Sequence, residues 1–99
     1  MELTQHELMS IKVFKALGDP TRFKIVQILI SRDELGCGEL QGLFGLSAPA
    51  MSHHTRVLQE CGLLDVRKDG PFHFFRLRRE QMNEFVPGLL ASAPKSVSP

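Results

Sequence analysis

The chain has 99 residues, 42% hydrophobic and 23% charged, with a formal net charge of +1. That composition fits one small soluble domain, and no apolar run approaches the roughly 18 residues of a membrane span. The balance of charge does not announce a nucleic-acid binder, and two cysteines are too few for a disulfide framework.

A domain this small buries only about 60–65% of its unfolded-chain surface, so a second copy would relieve a thin core. The opening "MELTQHELM" has neither the charged start nor the apolar stretch of a signal peptide, which predicts a cytoplasmic protein.

Local signals divide the chain into one domain, residues 1–91, and a Ser/Pro-rich tail, residues 92–99, expected to be disordered. "TQHE" at 4–7 matches a capping box and starts a helix that runs from about residue 5 to Leu17, before "GDP". Asp19 then caps a second helix with Pro20 at its first position, where the missing N–H costs nothing. Its body, "FKIVQILI", is apolar on most sides and reads as a central buried helix. Two further helices, "CGELQGLFG" and "SAPAMSHHTRVLQECG", are joined by the tight "GLS"; Ser47 caps the second and Gly62 ends it.

After Gly62 the hydrophobic period shortens. "LLDVRK" and "FHFFRL" flank "DGP", a strong signal for a β-hairpin. Helical spacing returns from Arg79 to about Leu90, with Met82, Phe85, Val86, Leu89 and Leu90 on one stripe and Pro87 expected to kink or shorten it. The expected fold is mainly α with a β-hairpin.

Charge is uneven along this order. Residues 1–50 carry five Lys/Arg against six Asp/Glu, and residues 51–99 carry seven against five. The basic excess gathers in "VRKDGPFHFFRLRR", where Arg67, Lys68, Arg76, Arg78 and Arg79 face Asp69 alone.

The pair His53-His54 tests what kind of chemistry the chain carries. At helical spacing Met51, Thr55 and Leu58 form an inward face, while Pro49, Ser52, His53, Arg56 and Glu60 fall opposite, with His54 at the boundary. Adjacent helical side chains do not converge on one ion, and the positions four residues on, Val57 and Leu58, cannot ligate one. No phosphate loop, paired-carboxylate motif or nucleophile elbow is present, so no catalytic residue and no cofactor is expected.

What remains is a short helix with small and polar groups on its outer face, preceded by another helix across a tight turn. That is the pattern of a helix-turn-helix, whose second helix presents its N-terminal residues to base edges in the major groove. The basic hairpin then becomes a wing whose Arg67, Lys68 and Arg76 can lie along phosphates. His54 is expected to combine a phosphate contact with packing.

The sequence resembles the ArsR/SmtB family of winged-helix repressors over roughly residues 10 to 80. "FKALGDPTRFKIVQIL" is similar to that family's opening signature, "LSAPAMSHHTRVLQECGLL" to its recognition helix and "VRKDGPFHFFRL" to its wing. The resemblance implies a winged helix-turn-helix homodimer, bound to a palindromic operator in double-stranded DNA and repressing transcription until an effector releases it. The family's DNA contacts fall on Ser47, Ala48, Pro49, Ser52, His53 and Arg56, and its basic wing on Arg67 and Lys68. Ala48 replaces a frequent glutamine and Thr55 a frequent leucine.

The first and last helices would pack across the twofold axis through Leu8, Ile11, Met82, Phe85, Val86 and Leu89. The terminal stripe supports this on its own, because an apolar face on a last helix needs a partner. Metal-responsive members often carry Cys-x-Cys within a stretch like "ELxxxEL"; here "ELGCGEL" has Gly36 and Gly38 around a lone Cys37, and no histidine stands in "REQMNEFVPGLL". No metal site is therefore expected. Two alternatives stay open: a winged helix that binds protein, and a thiol redox sensor working through Cys37 or Cys61.

Overall fold

The computed structural model describes residues 1–91, so the tail expected over 92–99 lies outside the described residues. The elements run α1 (Gln5–Leu17), α2 (Pro20–Ile30), β1 (Leu35–Gly36), α3 (Cys37–Phe44), α4 (Ala48–Glu60), β2 (Leu64–Asp69), β3 (Phe72–Leu77), α5 (Arg79–Phe85) and α6 (Pro87–Ala91). This is the expected winged helix-turn-helix with two differences: the two-residue β1, which the sequence reading left out, and a last helix divided into α5 and α6.

Side-chain caps set the helix starts. At α1, Glu7 N–H donates to Thr4 Oγ1 at 3.0 Å while Thr4 N–H donates to the Glu7 carboxylate at 2.8 Å, a closed capping box. At α2, Arg22 N–H donates to Asp19 Oδ2 at 3.1 Å. That bond holds the Asp19 carboxyl below its ordinary range against the opposing effect of burial, with Arg22 and His54 adding charge attraction.

The three strands form one antiparallel sheet in the order β1-β3-β2. Asp69 pairs with Phe72, so the hairpin loop is Gly70-Pro71. Gly70 has φ +60°, which an L side chain would resist, and Pro71 fixes the following φ negative. β1 joins the other edge of β3 through Leu35 opposite Phe75 and Gly36 opposite Phe74.

Ile25, Val26 and Leu29 of α2, Met51 and Leu58 of α4, and Leu64, Phe75 and Leu77 of the sheet share one buried cluster. Each such side chain contributes about 1.5–3 kcal/mol by leaving water. Thr55 is the one polar residue in this interior among the described residues. Its hydroxyl is satisfied by the carbonyls of Met51 at 3.1 Å and Ser52 at 3.2 Å.

The C-terminal helix is interrupted at Pro87, as expected, but its apolar stripe is not one exposed face. The helix from Arg79 breaks at Val86 (φ −142°, ψ 56°), and α6 begins at Pro87. Before the break, Met82 points into the core and has no exposed surface. Met82 therefore has its apolar partners inside one chain and offers nothing to a dimer interface. Phe85, Val86, Leu89 and Leu90 are half-buried against the same cluster. Phe85 also stacks on His6 of α1, ring centroids 4.7 Å apart, and His6 Nε2 lies 3.0 Å from the Glu84 carboxylate.

Candidate nucleic-acid interface

The turn between α3 and α4 is three residues long, 45–47. Gly45 takes φ +64° and its N–H closes on the Gln41 carbonyl at 2.8 Å, as does that of Leu46 at 3.2 Å. Ser47 then starts α4, its hydroxyl accepting from Ala50 N–H at 3.3 Å. At the far end Gly62 has φ +82°, and a Cβ there would stand 2.6 Å from Gln81 Nε2. That amide donates to the Cys61 carbonyl at 3.1 Å, so α5 closes the C-terminal end of α4.

With both ends fixed, α4 shows two faces. Met51, Thr55 and Leu58 are buried, as expected from the helical period. Ser47, Ala48, Pro49, His53 and Arg56 are exposed and Ser52 is half-buried. The small residues sit in the first turn, where they permit close approach of a groove, and the imidazole and guanidinium follow along the same side.

His54 is placed differently from its neighbour. It is turned inward, half-buried, with Arg22 Nη1 donating to its Nδ1 at 3.2 Å and Asp19 Oδ2 3.8 Å away. Burial holds its pKa below the ordinary histidine value, the Asp19 charge opposing and the Arg22 and His53 charges reinforcing that shift.

In the wing, cross-strand register separates the basic residues. Lys68 opposes His73 on the side of Val66 and Phe75, whereas Arg67 opposes Phe74 and Arg76 opposes Asp65 on the other side. Arg67 is also committed. Its Nη2 donates to Glu34 Oε1 at 2.6 Å and its Nε to Oε2 at 3.3 Å, and its guanidinium lies 4.4 Å over the Phe74 ring. The Arg67 hydrogen bonds hold the Glu34 carboxyl below its ordinary range. Lys68 and Arg76 are both exposed.

The cysteines stand apart from this surface. Cys61 is buried, donates to the Leu58 carbonyl at 3.4 Å, and burial raises its pKa, which disfavours the thiolate. Cys37 is half-buried, 3.8 Å from Gln41 Oε1. Among the described residues no three His, Cys, Asp or Glu side chains are grouped to hold a metal ion. No helix there is long and apolar enough to cross a membrane.

Sequence reasoning missed Arg22, Asp19 and Glu34 as parts of this region. Asp19 had been read only as a cap, and nothing local in the chain joins Arg22 to His54 or Glu34 to Arg67.

Comparison with known proteins agrees with the geometry. Residues 17–67 match the family model described as a helix-turn-helix domain. The HTH-type transcriptional regulator YceK of Bacillus subtilis is 35% identical over 80 residues, 80% of this chain and 80% of YceK. The transcriptional repressor SdpR of the same bacterium is 31% identical over 78 residues, 79% of this chain and 86% of SdpR. The crystal structure of an ArsR family transcriptional regulator matches with a TM-score of 0.72 at 27% identity, over 90% of both chains. The chain belongs to the ArsR family of winged helix-turn-helix transcriptional regulators.

Proposed function

We propose that the protein is a cytoplasmic repressor that binds a palindromic operator as a homodimer and is released by an effector. The observation that carries this reading is the exposed face of α4. Ser47, Ala48, Pro49, His53 and Arg56 stand clear of solvent-excluded packing on a helix held at both ends, with Ser52 at its margin. Arg56, Ser52 and His53 read base edges; Lys68 and Arg76 neutralise phosphates, and Arg67 joins them when it leaves Glu34. The relative SdpR, named a transcriptional repressor, supports the sign of the regulation.

Two copies are supported by α1. Leu8, Ile11 and Phe14, at helical spacing, are 45%, 38% and 59% exposed, an apolar stripe without cover in one chain. Phe85, stacked on His6 of α1, and the half-buried Val86 and Leu89 complete the proposed interface, whereas Met82, buried within one chain, takes no share. A symmetric pair would set two α4 helices against half-sites about one helical turn apart, roughly 34 Å.

A gel-shift series tests the reading, using genomic fragments selected on the purified protein. Affinity for a selected palindrome should fall steeply with salt and exceed that for scrambled DNA. A winged helix built to bind protein would show neither. The result against this proposal is DNA binding that is weak and equal for all sequences.

A further inference from the structure

Arg22 holds a position the DNA contacts do not explain. Its side chain joins three helices from one guanidinium. Nε donates to the carbonyl of Ala16 at 2.7 Å, in the last turn of α1, where the helix leaves carbonyls without internal partners. Its main-chain N–H is taken by the Asp19 cap of α2 at 3.1 Å. Nη1 donates to His54 Nδ1 of α4 at 3.2 Å. Arginine can only donate, so in this contact Nδ1 accepts, which requires the neutral imidazole with its proton on Nε2.

We propose that Arg22 is a positioning residue for the recognition helix: through His54 it fixes the rotation of α4 about its own axis and so the aim of Ser52, His53 and Arg56. This rests on the DNA-binding reading above. The inner face of α4 is packed through Met51, Thr55 and Leu58, but apolar contacts are not directional. Thr55 spends its hydroxyl on its own helix, on the carbonyls of Met51 and Ser52, and specifies no neighbour. The bond from Arg22 is directional, and it falls at the boundary between the buried and exposed faces. There a small rotation of α4 would carry His53 and Arg56 with it.

The contact is also conditional. The charged and titratable groups facing His54 are Arg22 of α2, Asp19 of the turn before it, and His53 of α4 itself, whose ring lies 5.4 Å away. Protonation of Nδ1 removes the acceptor that Arg22 uses and leaves a cation beside the guanidinium. Asp19 Oδ2, at 3.8 Å, is the acceptor that remains. Because burial lowers the His54 pKa, the neutral, Arg22-bonded form is favoured above the unfolded value of about 6.5. The contact is lost as pH falls through the lower folded value.

The test compares operator with scrambled DNA for the full chain, across salt and between pH 8 and pH 5.5. R22K keeps the charge but cannot reach Ala16 and His54 together, and H54A removes the acceptor. Each should lower the operator-to-scrambled ratio about fivefold, near the worth of one hydrogen bond. The double variant should lose no more than either alone, and R22Q should leave the slope of affinity against salt unchanged. H54Q, which accepts through its amide oxygen and does not titrate, should keep the ratio and abolish its decline at low pH. A salt slope reduced by about one charge in R22Q would make Arg22 a phosphate contact and overturn the proposal, as would additive losses. Equal failure of H54Q and H54A would do the same. Wild-type protein that cannot tell operator from scrambled DNA would sink the DNA-binding reading along with it. Wild type that discriminates while R22K does so equally well would sink the positioning role alone.

Discussion

The recognition helix and the wing carry basic and polar residues in similar density, yet the structure treats them differently. On α4 the outward groups are uncommitted: His53 and Arg56 are exposed, and the helix is held by its ends and its inner face. On the hairpin one of three basic residues is already engaged, Arg67 by Glu34, with Asp69 3.9 Å away. The other two lie on opposite sides of the sheet, Lys68 with His73 and Arg76 with Asp65. Counting charges along the sequence therefore overstates the wing and understates the helix. Free side chains on a rigid element can specify; a mixture of free and paired cations on a hairpin can only adjust affinity.

The largest expected effect removes the second copy of both regions at once. Phe14→Glu with Ile11→Glu places charges on the exposed α1 stripe, where neither residue supports the core of one chain. Sedimentation should show folded monomers, with operator affinity reduced by several orders of magnitude because one half-site is lost. Phe85→Glu is a less clean experiment, since Phe85 also packs on the core and on His6. A dimeric α1 double variant would place the interface elsewhere and remove the geometric basis for a palindrome.

Within one copy, substitution of Arg56 or Ser52 by Ala should change the ranking of operator variants. Each lost base contact is worth roughly 1–3 kcal/mol. His53→Ala should weaken operator binding with the fold unchanged, because His53 is exposed on the outer face of α4. His54→Ala should also melt lower, since its imidazole is turned inward on Arg22. If His53→Ala lowered the melting temperature and His54→Ala did not, the two faces of α4 would be reversed.

These expectations differ in how far the sequence could carry them. The caps at Thr4, Asp19 and Ser47, the turn at Gly45 and the Gly70 hairpin involve residues within a few positions of one another, so their physics is printed locally. The outward face of α4 follows from helical period alone. Strand β1 was not legible, because Leu35 and Gly36 have meaning only opposite Phe75 and Phe74. Met82 shows the same limit: helical period puts it on one stripe with Phe85 and Leu89 and the interruption at Pro87 is legible, but that Met82 is fully buried within one chain depends on the distant elements it packs against. Glu34 and Arg67 lie 33 positions apart and Arg22 and His54 lie 32 apart, beyond any local pattern.

The wing should give smaller and sequence-independent effects. Lys68→Gln should weaken binding to operator and scrambled DNA alike and lower the salt slope by about 0.9, the value for one released counterion. Arg67→Gln should lower it by less, because Glu34 already balances part of that charge in the free protein. A larger effect from Arg67 than from Lys68 would show that DNA, and not Glu34, holds Arg67 in the complex.

The smallest and sharpest change is Glu34→Gln. The Glu34 carboxylate accepts both forks of Arg67, and that hydrogen bonding lowers its pKa from the ordinary carboxylate value near 4.5. Its folded pKa is depressed, so any stability the pair contributes is present above about pH 4.5 and is lost only as pH falls through the lower folded value. At neutral pH the pair is therefore formed, and only substitution can open it. An exposed pair of this kind contributes little to stability, so the melting temperature should hardly move. DNA affinity should rise for every sequence, because a freed Arg67 adds a phosphate contact, and the salt slope should steepen by up to about 0.9. The Arg67→Gln, Glu34→Gln double variant should return to the slope of Arg67→Gln alone. If Glu34→Gln left affinity and slope unchanged, Arg67 would be a structural member of the wing, fixed over Phe74, and the DNA-facing charge of the hairpin would reduce to Lys68 and Arg76.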